Sequence, residues 1–187
     1  MNPTAAVILA AGGGTRFAGA GHKLLAEIDG RSVVARSVGA AIDACVGPVI
    51  VVWGAVDVRD ELEGLDVTFS RNEHWASGQA SSLRAGIGAA TSLGVEVVFV
   101  GLGDQPFVPA TAWQAVAHVE GAIVSASFGG RARPPVRLER SVWPLLPRVG
   151  DDGARALMAD RPDLVATVEV DGEPADIDTL ADLQRWS

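Results

Sequence analysis

Short apolar runs alternate with amphipathic stretches along the whole chain. The runs are largely uninterrupted and rich in Val, Ile and Ala, a pattern typical of strands that are covered on both faces of a parallel sheet. We therefore predict strands at Ala5–Leu9, Val49–Trp53, Val67–Ser70, Val95–Val100 and Ala122–Ala126.

Apolar residues between these runs recur at the three- and four-residue spacing of a helix. Ser32 is a suitable N-cap for the first predicted helix, and Pro109 stands at a helix start, where proline is tolerated. The predicted helices are Ser32–Ala44, Val56–Leu62, Ser81–Ala90, Pro109–Val119, Gly153–Ala159 and Thr179–Trp186. This alternation predicts an α/β fold, a three-layer Rossmann-like domain with a mostly parallel sheet, as a single domain over residues 1–187.

The composition excludes several classes of protein. The chain has 187 residues, 48% of them hydrophobic and 20% charged, which is typical of a globular domain. Its net charge of −8 argues against nucleic acid and acidic membranes as partners, because both need a basic face. No apolar run approaches the ~20 residues that span a bilayer, and we see no secretory signal. The single cysteine, Cys45, is expected to be buried, and a cytoplasmic location fits.

The first strand ends in a glycine cluster that carries two cations into a loop. Gly12, Gly13 and Gly14 are followed by Arg16 and Lys23. Glycine lets backbone N–H groups crowd around an anion, and the cations can neutralise a polyphosphate. The spacing matches neither the P-loop nor the dinucleotide fingerprint. The alternative is a tight strand-to-helix turn with two solvated cations.

Carboxylates follow the fourth predicted strand and lie near the C-terminus. Asp104 comes directly after a buried run and precedes proline, so it is either a ligand for a hard cation or a turn-former. Asp176 and Asp178 share one face of an extended segment. Asp178 or Thr179 is equally suited to cap the last helix. Together with the two cations and the glycine loop, these carboxylates suggest a nucleoside triphosphate handled with Mg²⁺.

Two further segments have open interpretations. Residues 72–86 lead into a predicted helix. Their N–H groups, or the side chains of Gln79, Ser81 and Ser82, either contact a nucleotide base or phosphate, or only cap the helix. Residues 128–137 are basic and marked by glycine and proline. They either hold an anionic acceptor through Arg131, Arg133 or Arg137, or form a solvated hairpin.

In order along the chain, five blocks resemble the nucleotidyltransferases of molybdenum-cofactor maturation, within the nucleotide-diphospho-sugar transferase fold. The match covers nearly the whole chain, and it is the five blocks in register that make it specific. The blocks are residues 9–17 with Lys23-Leu-Leu, residues 72–86, Gly103-Asp-Gln-Pro, Gly150-Asp-Asp-Gly-Ala-Arg and Asp176-Ile-Asp-Thr.

The resemblance implies roles for individual residues. The catalytic residues would be Arg16, Lys23 and Asp104, with Arg16 and Lys23 on the triphosphate. Mg²⁺ would be held by Asp104 and Asp178, with Asp176 as the less favoured substitute. The nucleotide would be bound by Leu9, Ala10, Ala11, Gly12, Gly13, Arg16, Lys23, Gly78 and Ser82.

The blocks are more similar to the cytidylyl branch of that family than to the guanylyl branch. The resemblance therefore implies transfer of CMP from CTP to molybdenum-bound molybdopterin with release of pyrophosphate, and transient contact with a molybdoenzyme or its chaperone. The alternatives are guanylyl transfer, another phosphorylated acceptor, or a non-catalytic nucleotide-binding or cofactor-chaperone module. Arg133-Pro-Pro135 stands where the family has Gly-His-Pro or Gly-Asn-Pro, an element that would face the acceptor.

Overall fold

A computed structural model of the chain describes residues 3–17 and 21–186. The strands within these residues are β1 (Thr4–Ala10), β2 (Glu27–Ile28), β3 (Arg31–Ser32), β4 (Val49–Trp53), β5 (Val67–Arg71), β6 (Val97–Leu102), β7 (Ile123–Phe128), β8 (Arg131–Glu139) and β9 (Val165–Glu169). The α-helices are α1 (Val33–Asp43), α2 (Gln79–Ser92), α3 (Ala110–Ala117), α4 (Ala154–Asp160) and α5 (Leu180–Trp186). Short 3₁₀ helices cover Asp60–Leu62, Trp75–Ser77, Arg140–Leu145 and Pro162–Leu164.

Seven strands form one sheet in the order β5-β4-β1-β6-β8-β7-β9, and β2 and β3 form a separate hairpin. All neighbouring pairs in the large sheet are parallel except those made by β8, which runs antiparallel to β6 and β7. The predicted α/β class with a mostly parallel sheet is therefore confirmed.

Helices cover both faces of this sheet. Alternate residues of β1 point to opposite faces. Ile8 and its neighbours pack with α1 and α3 in one apolar cluster, and Val7 and its neighbours pack with Leu83 of α2 and Leu157 of α4 in another. β1, at the centre, is buried along almost its whole length. This explains why its sequence reads as a continuous apolar run.

Several predicted elements differ from the structure. Val56–Leu62 is not an α-helix, and only its last three residues form a 3₁₀ turn. Residues 128–137 contain the hairpin that was one of the two alternatives for this segment: β8 pairs antiparallel with β7 across Gly129 and Gly130, but its later residues are buried and not solvated. β9 was not predicted, because it is only partly buried at the sheet edge. The expectation for Cys45 is wrong: it is exposed, in a left-handed conformation with φ of 54° just after α1. Ser32 caps α1 as predicted, its side chain accepting a hydrogen bond from Ala35 N–H.

Within the two described segments, every helix is too short or too polar to cross a bilayer.

The contact between α2 and the central strands gives a first prediction. A Cβ atom at Gly86 would lie 2.4 Å from Val7 Cγ1 and 3.1 Å from Val52 Cγ2, so Gly86→Ala forces the helix away from the sheet. We expect a loss of about 1–3 kcal/mol in the free energy of unfolding, measured by urea denaturation.

Gly88 is the matched control, because it lies on the same helix and a Cβ there meets nothing within 4 Å. Gly88→Ala is expected to raise stability by about 0.5–1 kcal/mol, since alanine loses less backbone entropy in a helix. Equal effects of the two variants would contradict the close packing described here.

Candidate active site

The glycine loop after β1 approaches the Trp75 side chain closely. A Cβ atom at Gly13 would come within 2.9 Å of the Trp75 indole, and one at Gly14 within 2.9 Å of His22 Nε2. Gly14 also has a φ of 58°, which favours glycine. The loop therefore needs glycine at these positions so that its backbone can approach Trp75 and His22.

His22 closes the loop onto itself. Its Nδ1 accepts a hydrogen bond from Leu24 N–H at 3.3 Å, so the ring proton is on Nε2, which donates to Gly12 O at 3.0 Å. Burial is the main cause that lowers the pKa of His22 below its ordinary value; the hydrogen bond to Gly12 O opposes this shift, and the nearby charge of Lys23 adds to it. A neutral His22 thus fixes the path of the chain between Gly12 and Lys23.

The N-terminus of α2 forms the opposite wall. Asn72 is buried, and its Nδ2 donates to Ser81 Oγ at 2.8 Å and to Ser82 Oγ at 3.0 Å. Gly78 has a φ of 104°, and a Cβ there would lie 2.5 Å from Gly150 O. The first turn of α2 is therefore held against the loop that contains Gly150, with the positive end of the helix facing the cavity.

A cluster of opposite charges lies at the carboxyl ends of β1 and β6. Lys23 Nζ donates to Asp104 Oδ2 at 2.5 Å and to Asp178 Oδ1 at 2.7 Å. Arg16 Nη2 lies 2.8 Å from the other oxygen of Asp178. The Lys23 side chain is only 11% exposed, whereas that of Arg16 is 73% exposed. One lysine thus bridges carboxylates that come from the middle and the end of the chain.

These contacts alter two ionisation equilibria. Burial alone would lower the pKa of Lys23, but the charge of Asp104 and the hydrogen bonds to Asp104 and Asp178 outweigh it and raise the pKa. Asp176 lies beside this pair. Burial and repulsion by Asp104 raise its pKa, although a hydrogen bond from Gln105 partly offsets them. The cluster therefore keeps Lys23 charged.

The C-terminal segment is held in place by its own backbone. Ile177 N–H donates to Asp104 O at 2.9 Å, which sets residues 176–178 against the end of β6. Thr179, one of the two predicted caps, caps α5: its Oγ1 accepts from Asp182 N–H at 3.2 Å, and Asp182 Oδ2 accepts in return from the N–H groups of Thr179 and Asp178. Asp178 is not the cap, and its side chain contacts Lys23 instead.

A cavity of about 460 Å³ opens beside the charge cluster. Its lining includes every residue that the resemblance assigns to the nucleotide, as well as Asp104: Leu9, Ala10, Ala11, Gly12, Gly13, Arg16, Lys23, Gly78 and Ser82. Asp178 lies behind this lining, in contact with Arg16 and Lys23. The structure therefore brings all eleven predicted site residues to one place, and their roles remain predictions.

A second cavity of about 370 Å³ adjoins the first and shares Leu9, Arg16, Gln79, Leu102 and Asp151 with it. Its lining combines apolar side chains such as Leu83, Val100 and Val136 with charged ones. The charged residues are Arg16, Arg133 and Arg155 together with Asp151, Asp152 and Asp176, and Arg155 is paired with Asp152. Arg137 does not line this cavity: its Nη2 donates to Glu139 Oε1 at 2.9 Å, and its Nη1 donates to Gly121 O.

Sequence reasoning missed Trp75 and Asp151, which both line the first cavity. The sequence feature that relates to Trp75 is glycine at positions 13 and 54, because a side chain at either position would collide with the indole. This relation could not be recognised from the sequence, because the three residues come together only in the fold.

Residues 6–166 match the sequence model of the family described as the MobA-like NTP transferase domain. The chain belongs to this family. It is a nucleotidyltransferase of the MobA-like type, with a fold shared by solved nucleotidyltransferase structures. A search of curated proteins gives no match.

Solved structures resemble this MobA-like transferase over almost its full length. A nucleotidyl transferase from Methanothermobacter thermautotroptrophicus is 26% identical, with a TM-score of 0.86 and coverage of 99% of this chain and 96% of that one. Rv0371c from Mycobacterium tuberculosis is 25% identical, with a TM-score of 0.84 and coverage of 98% and 97%. A second structure of Rv0371c, a complex with manganese, is 24% identical, with a TM-score of 0.78 and coverage of 98% and 97%.

A structure with a cytidyl group in its name shares the fold as well. The 4-diphosphocytidyl-2C-methyl-D-erythritol synthase of Anaerococcus prevotii is 17% identical, with a TM-score of 0.71 and coverage of 99% of this chain and 96% of that one. At this level of identity the likeness shows the fold alone.

The carboxylates of this MobA-like transferase fit one kind of metal site. Among residues 3–17 and 21–186, no group of three or more His, Cys, Asp or Glu side chains is arranged to hold a metal ion. Asp104 and Asp178, however, already face a single cation, Lys23 Nζ. Mg²⁺ typically takes one or two carboxylates and completes its shell with water and substrate phosphates. The pair fits a metal that arrives with a nucleotide, and does not fit an all-protein cage.

The loop closure by His22 predicts a pH dependence. Because the folded state favours neutral His22, its pKa lies below 6.5, and the stability it contributes is present above that pH and lost as the pH falls through the native pKa. An NMR titration of the His22 imidazole should give a midpoint below 6.5 and an Nε2–H tautomer. A midpoint at or above 6.5 would contradict the burial of a neutral ring, and an Nδ1–H tautomer would contradict the hydrogen bond from Nε2 to Gly12 O.

Proposed function

We propose that the protein transfers a nucleotidyl group from a nucleoside triphosphate, with CTP favoured, to a phosphorylated acceptor, and that molybdopterin is the leading acceptor. The observation that carries this proposal is the contact of Lys23 with both Asp104 and Asp178 at the edge of the glycine-lined cavity. The free chain thus holds its cation and its carboxylates together, and a Mg²⁺-bound triphosphate would meet both charges at once.

The backbone and the two cations would receive the phosphates. Gly12 and Gly13 present main chain to the cavity, and the N-terminus of α2 adds its positive end. Arg16 is exposed and makes one ion pair, with Asp178, so it would turn readily to a phosphate, whereas Lys23 is buried at the base of the cavity. Catalysis of this kind consists mainly of positioning and charge neutralisation.

Asp104 and Asp178 would hold the divalent metal, with Asp176 as the alternative to Asp178. A metal at these residues would neutralise phosphate charge and stabilise the pyrophosphate leaving group. Lys23 would then move from the carboxylates to the phosphates, because ammonium and metal compete for the same oxygens. The manganese complex of Rv0371c supports a divalent ion in a related structure.

The second cavity would hold the acceptor. An oxygen of the acceptor phosphate would attack the α-phosphorus of the nucleotide, the bond between the α-phosphorus and its bridging oxygen would break, and pyrophosphate would leave. Arg133 and Pro134 line this cavity, at the position where the family resemblance predicts an acceptor-facing element. Arg133 would offer a positive charge to an anionic acceptor.

CTP is favoured by the cytidylyl-type blocks of the sequence. Guanylyl transfer is the alternative within the same chemistry. A non-catalytic nucleotide-binding module is the alternative outside it, and the complete set of Arg16, Lys23, Asp104 and Asp178 argues against that module.

A nucleotide screen tests the proposal. We expect CTP with Mg²⁺ to raise the melting temperature more than ATP, GTP or UTP does, because a ligand that binds only the folded state stabilises it by mass action. Pyrophosphate release should then require both CTP and a molybdopterin-class acceptor. Asp104→Asn is the control, and it should fold normally but lose turnover. Full turnover in Asp104→Asn would overturn the metal assignment, and a response to GTP alone would overturn the choice of CTP.

Competition between Lys23 and the metal gives a separate prediction. Lys23→Met removes the ammonium and keeps the length of the side chain. We expect Mn²⁺ to bind the free variant at least about tenfold more tightly than the wild type, because the metal no longer displaces an ion-paired cation. Isothermal titration calorimetry without nucleotide measures this.

Arg16→Met is the matched control, because Arg16 contacts the same Asp178 but is largely exposed and screened. It should change Mn²⁺ affinity much less. An unchanged or weaker Mn²⁺ affinity in Lys23→Met would show that the metal does not bind at these carboxylates.

A further inference from the structure

Two buried side-chain polar atoms have no hydrogen-bond partner in the part of the chain that the structure describes: Gln105 Oε1 and Trp113 Nε1. Both residues are almost fully buried, Gln105 at 3% exposure and Trp113 at 2%. Buried polar groups in native proteins nearly always have a partner, because leaving one unpaired costs its full desolvation. This pair therefore needs an explanation.

The two residues line the same small cavity, of about 10 Å³, between β6, α1 and α3. One atom is an acceptor and the other is a donor, so they are complementary, yet they are not bonded to each other. The Trp113 ring is held at this position by Gly101 of β6, where a Cβ would lie 2.5 Å from the indole. The cavity is thus a built feature of the packing.

The orientation of the Gln105 amide is fixed by its other end. Its Nε2 donates to Asp176 Oδ1 at 2.8 Å and to Pro174 O at 3.3 Å. A flipped amide would put its oxygen against the carbonyl oxygen of Pro174, which can only accept. Gln105 Oε1 must therefore be the atom on the other side.

Ser37 supplies a third polar group to the cavity lining. Its single hydroxyl proton is donated to the carbonyl oxygen of Val33 at 3.1 Å or of Gly103 at 3.0 Å, so its Oγ lone pairs are available as acceptors. The cavity then offers one donor and two acceptors. A buried water needs about 10–15 Å³ and two to four polar partners.

We propose that this cavity binds one water molecule, which accepts from Trp113 Nε1–H and donates to Gln105 Oε1 and Ser37 Oγ. The volume excludes any larger ligand, and the polar lining distinguishes the site from a dry apolar void. The water ties Gln105 to α3 and α1 on one side, while the amide nitrogen ties it to residues 174–176 on the other.

Gln105 is thereby a positioning residue for the C-terminal segment. That segment carries Asp178, which contacts Lys23, and it is also held by Ile177 N–H on Asp104 O. The proposal of the water site depends only on the packing around Gln105 and Trp113. The proposal that Gln105 supports catalysis, by positioning Asp178, rests on the proposed function.

The water site is tested by NMR on the uniformly ¹⁵N-labelled protein. The chain has five tryptophans, and Trp113→Phe assigns the indole signal of Trp113. We expect a cross-peak of direct dipolar origin between Trp113 Hε1 and water. Trp143 is the internal control, because it is also buried but its Nε1 donates to Leu138 O at 3.2 Å, so it should show no such peak. Absence of the peak at Trp113, or an equal peak at Trp143, would overturn the water site.

The positioning role is tested by amide hydrogen exchange in Gln105→Met, which removes both amide groups and keeps the length. We expect Ile177 N–H to exchange at least about tenfold faster, because residues 174–176 lose their anchor. Amides of β1 should be unchanged, whereas a general loss of stability would speed them too.

Unchanged exchange at Ile177 would overturn the positioning role. Faster exchange at Ile177 together with wild-type turnover, in an assay where the wild type is active, would separate positioning of the segment from catalysis. If the wild type itself has no activity, the proposed function fails while the exchange and water results still stand.

Discussion

The arrangement of the whole site depends on one buried ammonium. Lys23 Nζ contacts carboxylates from residues 104 and 178, and an unpaired charge at that depth would be strongly destabilising. Lys23 is acceptable there because carboxylates pair with it, and either Asp104 or Asp178 alone leaves it with one partner. This constraint makes the loop after β1, the end of β6 and the C-terminal segment fold toward the same point.

The sheet supplies the frame for this convergence. β1 and β6 are parallel neighbours, with Leu9 opposite Leu102, so the loops that follow them leave the sheet at one edge. The C-terminal segment has no strand in this region, and it is attached instead by the bond from Ile177 N–H to Asp104 O. A backbone contact of this kind leaves the side chains on either side of it, Asp176 and Asp178, free to face the charge cluster.

Much of this was readable in the sequence, for physical reasons. Strands such as β1 and β4 are buried on both faces, so every position is apolar and the strand can be recognised as a continuous apolar run. Ser32 and Thr179 act locally, since each caps a helix by accepting from a backbone N–H three residues further on. The glycine loop and Asp104 could be identified because parallel strand ends collect ligands. The burial of β8 could not be predicted, since its first residues are basic and its later residues are covered by antiparallel neighbours that only the fold supplies. The same holds for Trp75, whose place depends on glycines far away in sequence.

The two cations of the site differ in a way that bears on how ligands would enter. Lys23 is enclosed and satisfied by two carboxylates, whereas Arg16 makes one ion pair and is mostly exposed. Arg16 also lines both cavities, while Lys23 lines only the first. An anion arriving from solvent would therefore meet Arg16 before Lys23, and would have little reorganisation to overcome there, since an exposed ion pair is weak. Lys23 would separate from its carboxylates only when a ligand supplies an anion for the ammonium and a cation for the carboxylates. A triphosphate with its metal is such a ligand.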